Sequence, residues 1–154
     1  MGMFDAINAA GSALTSERMR MDVTAENLAN AQTTRGADGQ PYRRKEVILQ
    51  EKGGSSFGSM LNASLNKGAG GANRSAGDGG GVQVAGIVED PTDFRMQYDP
   101  GHPDADANGY VRMPNVNPVT EMVDLISASR GYEANVTAMN TAKQMFSKSL
   151  DILR

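Results

Sequence analysis

Residues 117–153 read NPVTEMVDLISASRGYEANVTAMNTAKQMFSKSLDIL, and this stretch decides the fold. Its apolar residues recur at a period typical of a helix that packs along its whole length. The repeat consists of Leu125, Tyr132, Met139, Phe146 and Leu153. Asn117 is a good N-cap, Pro118 suits the first helical position, and Glu121 places negative charge near the positive end of the helix dipole. The stretch therefore predicts one long helix that carries its apolar repeat from Met122 to Leu153.

The N-terminal part of the chain carries the same heptad period. Its repeat consists of Ile7, Leu14, Met21 and Leu28. The companion positions of the two repeats are Phe4, Gly11, Arg18, Ala25, Met122, Ser129, Val136, Lys143 and Leu150. Residues 3–30 therefore predict a second amphipathic helix. Because two long helices stand at opposite ends of the chain, we expect them to pair as a coiled-coil-like up-and-down hairpin.

A pair of helices leaves part of its apolar surface in water, so we predict that the heptad seam is shared between subunits. The predicted assembly residues are Phe4, Ile7, Leu14, Met21, Leu28, Met122, Leu125, Tyr132, Val136, Met139, Phe146, Leu150 and Leu153. Charged residues interrupt the seam at Arg18 and Lys143. They either penalise wrong helix registers or extend their charged ends into solvent.

The middle of the chain predicts short strands. Turn residues at 31–41 precede a strand from Tyr42 to Gln50. Alternating apolar residues predict further extended segments at 82–88, 94–98 and 110–113, with a bulge at Gly86. Together they predict one small β module of three or four strands. The chain is then divided into a terminal-helix domain (1–34 and 115–154), a β module (35–52 and 82–114) and a glycine-rich loop (53–81).

The glycine-rich loop holds ten glycines among the 29 residues from Gly53 to Gly81, too many for a packed core. We expect a flexible loop. One short helix within it is predicted by the spacing of Phe57, Met60, Leu61 and Leu65. The fold class is therefore mainly α with a small β module, with long terminal helices and a β-hairpin-rich middle.

Composition excludes several functions. The net charge is −3 and the pI about 5.1, which argues against nucleic acid or an anionic membrane as partner. The basic run Arg43–Lys45 is interpreted as a solvated strand face. The chain has no cysteine, so disulfides and thiolate metal sites are excluded. We expect no cofactor. We expect no cleavable signal peptide, because polar residues interrupt the first twenty positions. We also expect no direct membrane insertion, because no apolar run reaches membrane-spanning length.

The polar loop before the last helix contains a weak metal candidate. Asp104, Asp106 and Asn108, followed by Gly109, match the first half of an EF-hand calcium loop. The twelfth position, which should be a bidentate Glu, is Asn115. We therefore favour a hydrogen-bonded Asx turn over a calcium site.

His102 lies in the same loop between Asp99 and Asp104, where it could in principle act as a general base. The sequence offers it no credible nucleophile and no second histidine. We interpret it as a structural hydrogen-bonding residue, and we expect no catalytic residues and no enzymatic activity.

Three segments carry a family resemblance. AENLANAQTT (25–34) resembles the NNLAN-type signature of bacterial flagellar axial proteins, and PYRRK (41–45) is similar to the segment that follows it in basal-body rod proteins. DPGHPDADANGYVRMPNVNPVTEMVDLISASRGYEAN (99–135) resembles the most distinctive block of that rod family. The motif residues are Asn27, Leu28, Ala29, Asn30, Pro100, Gly101, His102, Pro103, Gly109, Tyr110, Pro114, Asn115, Glu121 and Tyr132.

The resemblance implies a structural subunit of the proximal rod of the bacterial flagellum. Such proteins are exported by the flagellar type III apparatus without a cleaved signal and polymerise in the periplasm through their terminal helices. The partners it implies are other copies of the chain, proximal and distal rod proteins, and the export gate and membrane ring. The alternatives are a helical-hairpin adaptor, which would be folded and would not polymerise, and a calcium-dependent interaction module.

Overall fold

The computed structural model describes residues 3–36, 38–52 and 80–152. These residues form α1 (Met3–Ala29), β1 (Lys45–Lys52), β2 (Gly81–Glu89), β3 (Arg95–Tyr98), β4 (Tyr110–Met113) and α2 (Pro118–Ile152). The prediction of a mainly α fold with a small β component is confirmed. The segment 53–79, which includes the short helix predicted around Phe57 and Leu65, lies outside the described residues, as do Leu153 and the side chain of Phe4.

Helix α2 begins where its predicted cap places it. The Asn117 side-chain oxygen accepts a hydrogen bond from the Val119 amide at 3.1 Å, and the Asn117 carbonyl accepts one from the Glu121 amide at 3.0 Å. Both bonds satisfy amides of the first helical turn. The helix has 35 residues and α1 has 27, so α2 is about 52 Å long and α1 about 40 Å, at 1.5 Å per residue.

The two helices pack against each other in opposite directions. The Asn27 side-chain nitrogen lies 3.1 Å from a carboxylate oxygen of Glu121. Ten residues away along each helix, Glu17 of α1 lies beside Gly131 of α2. A Cβ atom at Gly131 would lie 3.3 Å from Cδ of Glu17. A step of ten residues toward the start of α1 therefore corresponds to a step of ten residues toward the end of α2. By this register the N-terminal end of α1 lies opposite Met145, and α2 extends beyond it. Coiled-coil packing of the heptad seam stays a prediction.

Small and polar residues form the buried core of the described part. Its buried side chains are Ser16, Val23, Thr24, Asn27, Ala31, Val111, Pro114, Val116, Glu121, Ala128 and Ala142. Most lie where the C-terminal end of α1 meets the segment 111–116 and the N-terminal end of α2. Small residues such as Ser16 and Ala128 allow the helix backbones to approach closely, which leaves larger apolar side chains toward the outside.

The predicted seam residues lie beside this core rather than within it. The half-buried ones are Ile7, Leu14, Met21, Leu28, Leu125, Tyr132, Val136 and Met139. The exposed ones are Met122, Phe146 and Leu150. The apolar repeat therefore borders the contact between α1 and α2 and remains partly accessible to other molecules.

The four strands form two separate antiparallel ribbons, so the prediction of one small sheet is wrong in this respect. In the first ribbon β1 pairs with β2, and the register shifts at Ile48, where Ala85 is the extra residue beside the predicted bulge glycine, Gly86. In the second ribbon β3 pairs with β4. The segment that connects the ribbons contains Pro91, which has no N–H for a ladder.

The predicted strand at Tyr42 begins instead at Lys45 and ends at Lys52. Among the three residues before it, the Tyr42 hydroxyl and the Arg44 amide bond to side chains of other elements, as described below. The Arg43 side chain donates to the carbonyls of Asp90 and Thr92, and the Arg44 carbonyl accepts from the Asp90 amide. Neither helix of the described part combines the length and the apolarity that crossing a membrane requires.

Candidate functional site

A buried polar cluster joins the end of α1, the start of β1 and the first turn of α2. We call it the polar junction and define it as Asn27, Tyr42, Arg44, Lys45 and Glu121. Asn27 and Glu121 are each 1% exposed, although both are polar. Buried polar groups are costly unless hydrogen-bonded. The junction meets this condition, since no buried side-chain nitrogen or oxygen among the described residues lacks a partner.

The Asn27 amide makes four hydrogen bonds at the centre of the junction. Its oxygen accepts from the Tyr42 hydroxyl and from the Lys45 amide, each at 2.9 Å. Its nitrogen donates to the Lys45 carbonyl at 2.9 Å and to Glu121 at 3.1 Å. An asparagine side chain offers two acceptor and two donor positions, and here all are used. Asn27 therefore fixes β1 and α2 relative to α1.

Glu121 pairs with Arg44 inside the junction. The Arg44 Nε donates to the carboxylate at 2.6 Å, and this hydrogen bond raises the pKa of the guanidinium. Three further carboxylates lie near the same guanidinium: Asp124 at 3.7 Å, Asp90 at 3.8 Å and Glu46 at 4.0 Å. One cation thus faces acidic groups from β1, from α2 and from the segment after β2, and it holds these elements together.

Asn115 extends the junction toward the segment after β2. Its side-chain oxygen accepts from the Arg44 amide at 2.8 Å, and its nitrogen donates to the Thr92 hydroxyl at 2.8 Å. Asp90 also binds Thr92, whose amide donates to the Asp90 carboxylate at 2.9 Å. The hydrogen bonds from Thr92, with a smaller contribution from Arg44 and Arg43, hold the pKa of Asp90 below its ordinary value.

The basic run Arg43–Lys45 is not the solvated strand face that its sequence suggested. The Arg44 side chain is only 23% exposed and is enclosed by carboxylates. Lys45 Nζ contacts Glu26 at 2.6 Å, and Arg43 lies over the Phe94 ring at 4.6 Å. Sequence reasoning missed Arg44 and Tyr42 as site residues. The only signal for them was their place in the PYRRK segment.

The remaining motif residues form a compact loop beside β3 and β4. Gly101 donates its amide to the Asp99 carboxylate at 3.2 Å, which is an Asx turn. Gly109 has φ +80°, and a Cβ atom there would lie 3.0 Å from the Tyr98 ring, so this position requires glycine. Pro100, Pro103 and Tyr110 belong to the same loop and its exit strand. Asn30, Leu28 and Ala29 end α1, and Pro114 is fully buried.

Asp104, the first residue of the EF-hand pattern, is already bound by protein groups. The Asp104 carboxylate accepts from the Thr34 hydroxyl at 2.9 Å and lies 3.8 Å from Arg35. Asn115, the twelfth position of the EF-hand pattern, instead bonds to the Arg44 amide and to Thr92 beside the polar junction. Within the described ranges no group of three acidic or histidine side chains could hold a metal ion. His102 accepts a hydrogen bond from the Asp104 amide at 3.1 Å, which is the structural role expected for it.

Because Tyr42 is partly buried, the free energy of unfolding depends on pH in the alkaline range. Burial, and to a smaller extent Glu26, Glu121 and Glu89, raises the pKa of Tyr42 to about 12. An unfolded tyrosine titrates near pH 10. The stabilising contribution of the neutral phenol is therefore present below pH 10 and is lost as the pH rises to about 12.

We expect the free energy of unfolding, measured with urea by circular dichroism, to fall more steeply between pH 10 and 12 in the unaltered chain than in Tyr42→Phe. Tyr98→Phe, on an exposed strand, is the matched control and should keep the steep fall. Equal slopes for the unaltered chain and Tyr42→Phe would contradict the assignment.

Helix α2 also presents two exposed apolar groups on its surface. The first, which we call the N-terminal stripe, consists of Val119, Met122, Val123 and Ile126 at helical spacing along one face. The second, which we call the overhang, consists of Met145 and Leu150 and begins opposite the described N-terminal end of α1. Large apolar side chains grouped in this way mark contact surfaces.

Comparison with known proteins gives consistent matches over the whole chain. The family model described as "Flagella basal body rod protein" matches residues 7–37, and that described as "Flagellar basal body rod FlgEFG protein C-terminal" matches residues 107–152. A flagellar basal-body rod protein FlgC of Bacillus subtilis (strain 168) is 53% identical over 99% of each chain. Proteins of the same name from Borreliella burgdorferi and Escherichia coli O6:H1 are 44% and 43% identical, covering 100% and 99% of this chain and 99% and 98% of their own.

Proposed function

This chain belongs to the FlgC family of flagellar basal-body rod proteins, and from that premise we propose that it polymerises through its terminal helices into the proximal rod. As a member of this family it is a structural subunit of the rod and not an enzyme. It assembles with other rod and flagellar components. In our proposal the helices of neighbouring subunits cover the apolar surface that one chain leaves open, and the resulting tube serves as drive shaft and export channel.

The overhang of α2 is the observation that carries this proposal. The helix continues for about two turns past the residue opposite the described N-terminal end of α1, so Leu150 lies beyond the described part of α1. Leu150 is 51% exposed there and Met145 is 56% exposed. Helices gain most of their stability by burying an apolar face. A helix from a neighbouring subunit would provide that burial.

The N-terminal stripe supports a second contact at the other end of the same helix. Val123 is 60% exposed and Ile126 is 53% exposed, on a helix whose opposite side packs on α1. Two apolar surfaces at the two ends of one helix let a subunit contact different neighbours. Contacts between unlike surfaces propagate into a helical assembly, as a rod requires.

The place of the subunit in the flagellum follows from the family. We propose that the chain lies in the periplasmic part of the basal body, between the export gate and membrane ring on one side and the distal rod on the other. We further propose that the flagellar type III apparatus exports it without a cleaved signal. A mechanical role of this kind needs no cofactor.

Leu150→Glu and Ile126→Glu test the proposal in a strain that lacks the chromosomal gene. A buried charge in a dry helix contact costs about 3 kcal/mol, which weakens the contact roughly a hundredfold. We therefore expect loss of swimming in soft agar and loss of rods in purified basal bodies viewed by electron microscopy, with the chain still present in the cells.

Gln144→Glu is the matched control, since it adds the same charge at an exposed polar position of α2. It should support normal swimming. Normal rods with both apolar positions changed to Glu would contradict the proposal. A stable, folded chain that never enters basal bodies would instead indicate the helical-hairpin adaptor.

A further inference from the structure

Asn108 lies in the loop between β3 and β4 and is the one asparagine of the sequence that a glycine follows. Its side chain is exposed, and no hydrogen bond to its carboxamide is found among the described residues. Asparagine is a thermally labile residue. Here its reactive atom, Cγ, is accessible and directly precedes a residue that has no side chain. The pair is therefore a candidate for deamidation, the conversion of the carboxamide to a carboxylic acid.

The reaction of such a pair takes place within the chain. The Gly109 nitrogen loses its proton and attacks Cγ of Asn108, so that a new C–N bond forms. Ammonia leaves as the bond from Cγ to the side-chain nitrogen breaks, and the product is a cyclic succinimide. Water then opens the ring at either of its carbonyls, which gives aspartate or isoaspartate. Glycine favours ring closure, because it has no Cβ atom to hinder the attack and it adopts backbone conformations that other residues avoid.

Backbone hydrogen bonds of the loop oppose this reaction in the folded chain. The Gly109 amide donates to the Asp106 carbonyl at 2.8 Å, so the attacking nitrogen keeps its proton in this bond. The Asp99 amide donates to the Gly109 carbonyl at 2.9 Å, and the Asp106 amide donates to the Tyr110 carbonyl at 2.9 Å. The nitrogen becomes free to react only when the loop opens locally.

We propose that Asn108 is a site of spontaneous deamidation and isomerisation, and that the turn from Asp106 to Gly109 sets its rate. The substrate is the carboxamide of the chain itself, and water is the other reactant. An ordinary hydrogen bond corresponds to about a fivefold change in an equilibrium, so the folded chain should react at least about fivefold more slowly than the unfolded chain.

Isoaspartate at position 108 disturbs the loop more than aspartate does. In isoaspartate the main chain runs through Cβ and Cγ and is longer by one carbon atom, whereas aspartate changes only the side chain. The hydrogen bonds between Gly109 and its partners Asp99 and Asp106 lie directly after this point. The Tyr98 ring leaves little room for the backbone to shift, because a Cβ atom at Gly109 would lie 3.0 Å from it. The isoaspartate form therefore loses these hydrogen bonds.

Peptide mass spectrometry of the full chain measures the reaction at this site. Trypsin cuts after Arg95 and after Arg112, and the peptide between them contains Asn108 as its only asparagine. After incubation at mildly alkaline pH in water labelled with heavy oxygen, the deamidated peptide should carry one heavy oxygen atom from ring opening. We expect its rate of formation to be at least about fivefold higher in guanidinium chloride than in buffer.

Asn140, exposed on α2 and followed by Thr141, is the control within the same samples. It should react much more slowly than Asn108 in the unfolded chain, because the threonine side chain hinders ring closure. Equal rates for the two asparagines in guanidinium chloride would overturn the assignment of the site. Equal rates for Asn108 in the folded and unfolded chain would overturn the role of the turn.

Amide hydrogen exchange, resolved by nuclear magnetic resonance, tests the effect of isoaspartate on the loop. In the isoaspartate form the amides of Asp99 and Gly109 should exchange at least about fivefold faster than in the unaltered chain. Freshly prepared Asn108→Asp is the matched control, because it adds the same charge without lengthening the main chain, and it should keep the slow exchange. Slow exchange in the isoaspartate form would contradict the predicted effect. None of these measurements depends on rod assembly, which is scored separately by swimming.

Discussion

An Arg44→Met chain is expected to lose about 3 kcal/mol of unfolding free energy. Methionine keeps most of the length of the side chain but removes the guanidinium that lies 2.6 Å from Glu121. The Glu121 carboxylate, 1% exposed, then keeps only the hydrogen bond from Asn27. A buried charge that loses its partner is strongly destabilising, and the nearby carboxylates of Asp90 and Asp124 add repulsion. Urea denaturation followed by circular dichroism measures the loss.

Two further variants separate this effect from general damage. Arg43→Met removes the neighbouring guanidinium, which lies over the Phe94 ring and donates to two carbonyls without neutralising a buried charge. It should cost about 1 kcal/mol or less. Arg44→Met/Glu121→Met removes both charges and should regain part of the loss. If the double variant is less stable than Arg44→Met alone, the buried carboxylate is not the cause.

The sequence was sufficient to predict the helices because their signals are local. The cap at Asn117, the proline after it and the apolar period all act within a few residues. They placed the start of α2 correctly, and α1 ends at Ala29, one residue from the predicted end. The strands were found with shifted ends, because the Tyr42 hydroxyl and the Arg44 amide bind the side chains of Asn27 and Asn115, and only the Arg44 carbonyl bonds to the backbone that follows β2.

The closest contact between the helices could not be predicted from hydrophobic pattern. The buried positions include Ser16, Ala128 and Ala142, which are small and weakly apolar or polar. A heptad pattern selects large apolar residues, and these border the contact because small residues allow the backbones to approach. The heptad pattern therefore indicates two surfaces: the apolar surface in the contact between α1 and α2, and the apolar surface that remains accessible to other molecules.

The polar junction was predictable only in part. Asn27, Asn115 and Glu121 were singled out through family resemblance, but nothing local indicates that Asn27 and Glu121, 94 residues apart, share a hydrogen bond. Arg44 was assigned to solvent because adjacent charges usually are. Its burial depends on carboxylates from two distant segments, Asp90 after β2 and Glu121 with Asp124 on α2. Long-range polar contacts of this kind carry no periodic signal.

An Asn27→Asp chain is expected to be about 4 kcal/mol less stable than the unaltered chain at pH 7, and less severely affected at pH 4. The substitution preserves shape but replaces the NH₂ group that donates to the Lys45 carbonyl and to Glu121. An ionised carboxylate at this position would place a second negative charge beside Glu121. The oxygen that replaces the NH₂ group would face the Lys45 carbonyl and the Glu121 carboxylate, which are both acceptors. Burial and this repulsion raise the pKa of the introduced carboxyl group above its ordinary value. Protonation restores one donor, so the penalty relative to the unaltered chain should grow as the pH rises through that pKa.

Asn30→Asp is the matched control for this prediction. The Asn30 side chain, half-buried just after the last residue of α1, donates to the Glu26 carbonyl, and no contact with a carboxylate of α2 is found for it among the described residues. It should cost about 1 kcal/mol. Unfolding by urea at pH 4 and pH 7, each referred to the unaltered chain at the same pH, gives the two penalties. If the penalty of Asn27→Asp is equal at pH 4 and pH 7, the lost hydrogen bonds alone, and not the added charge, cause the destabilisation. A penalty that grows with pH would identify Asn27 as the neutral donor that the buried Glu121 carboxylate requires between the two helices.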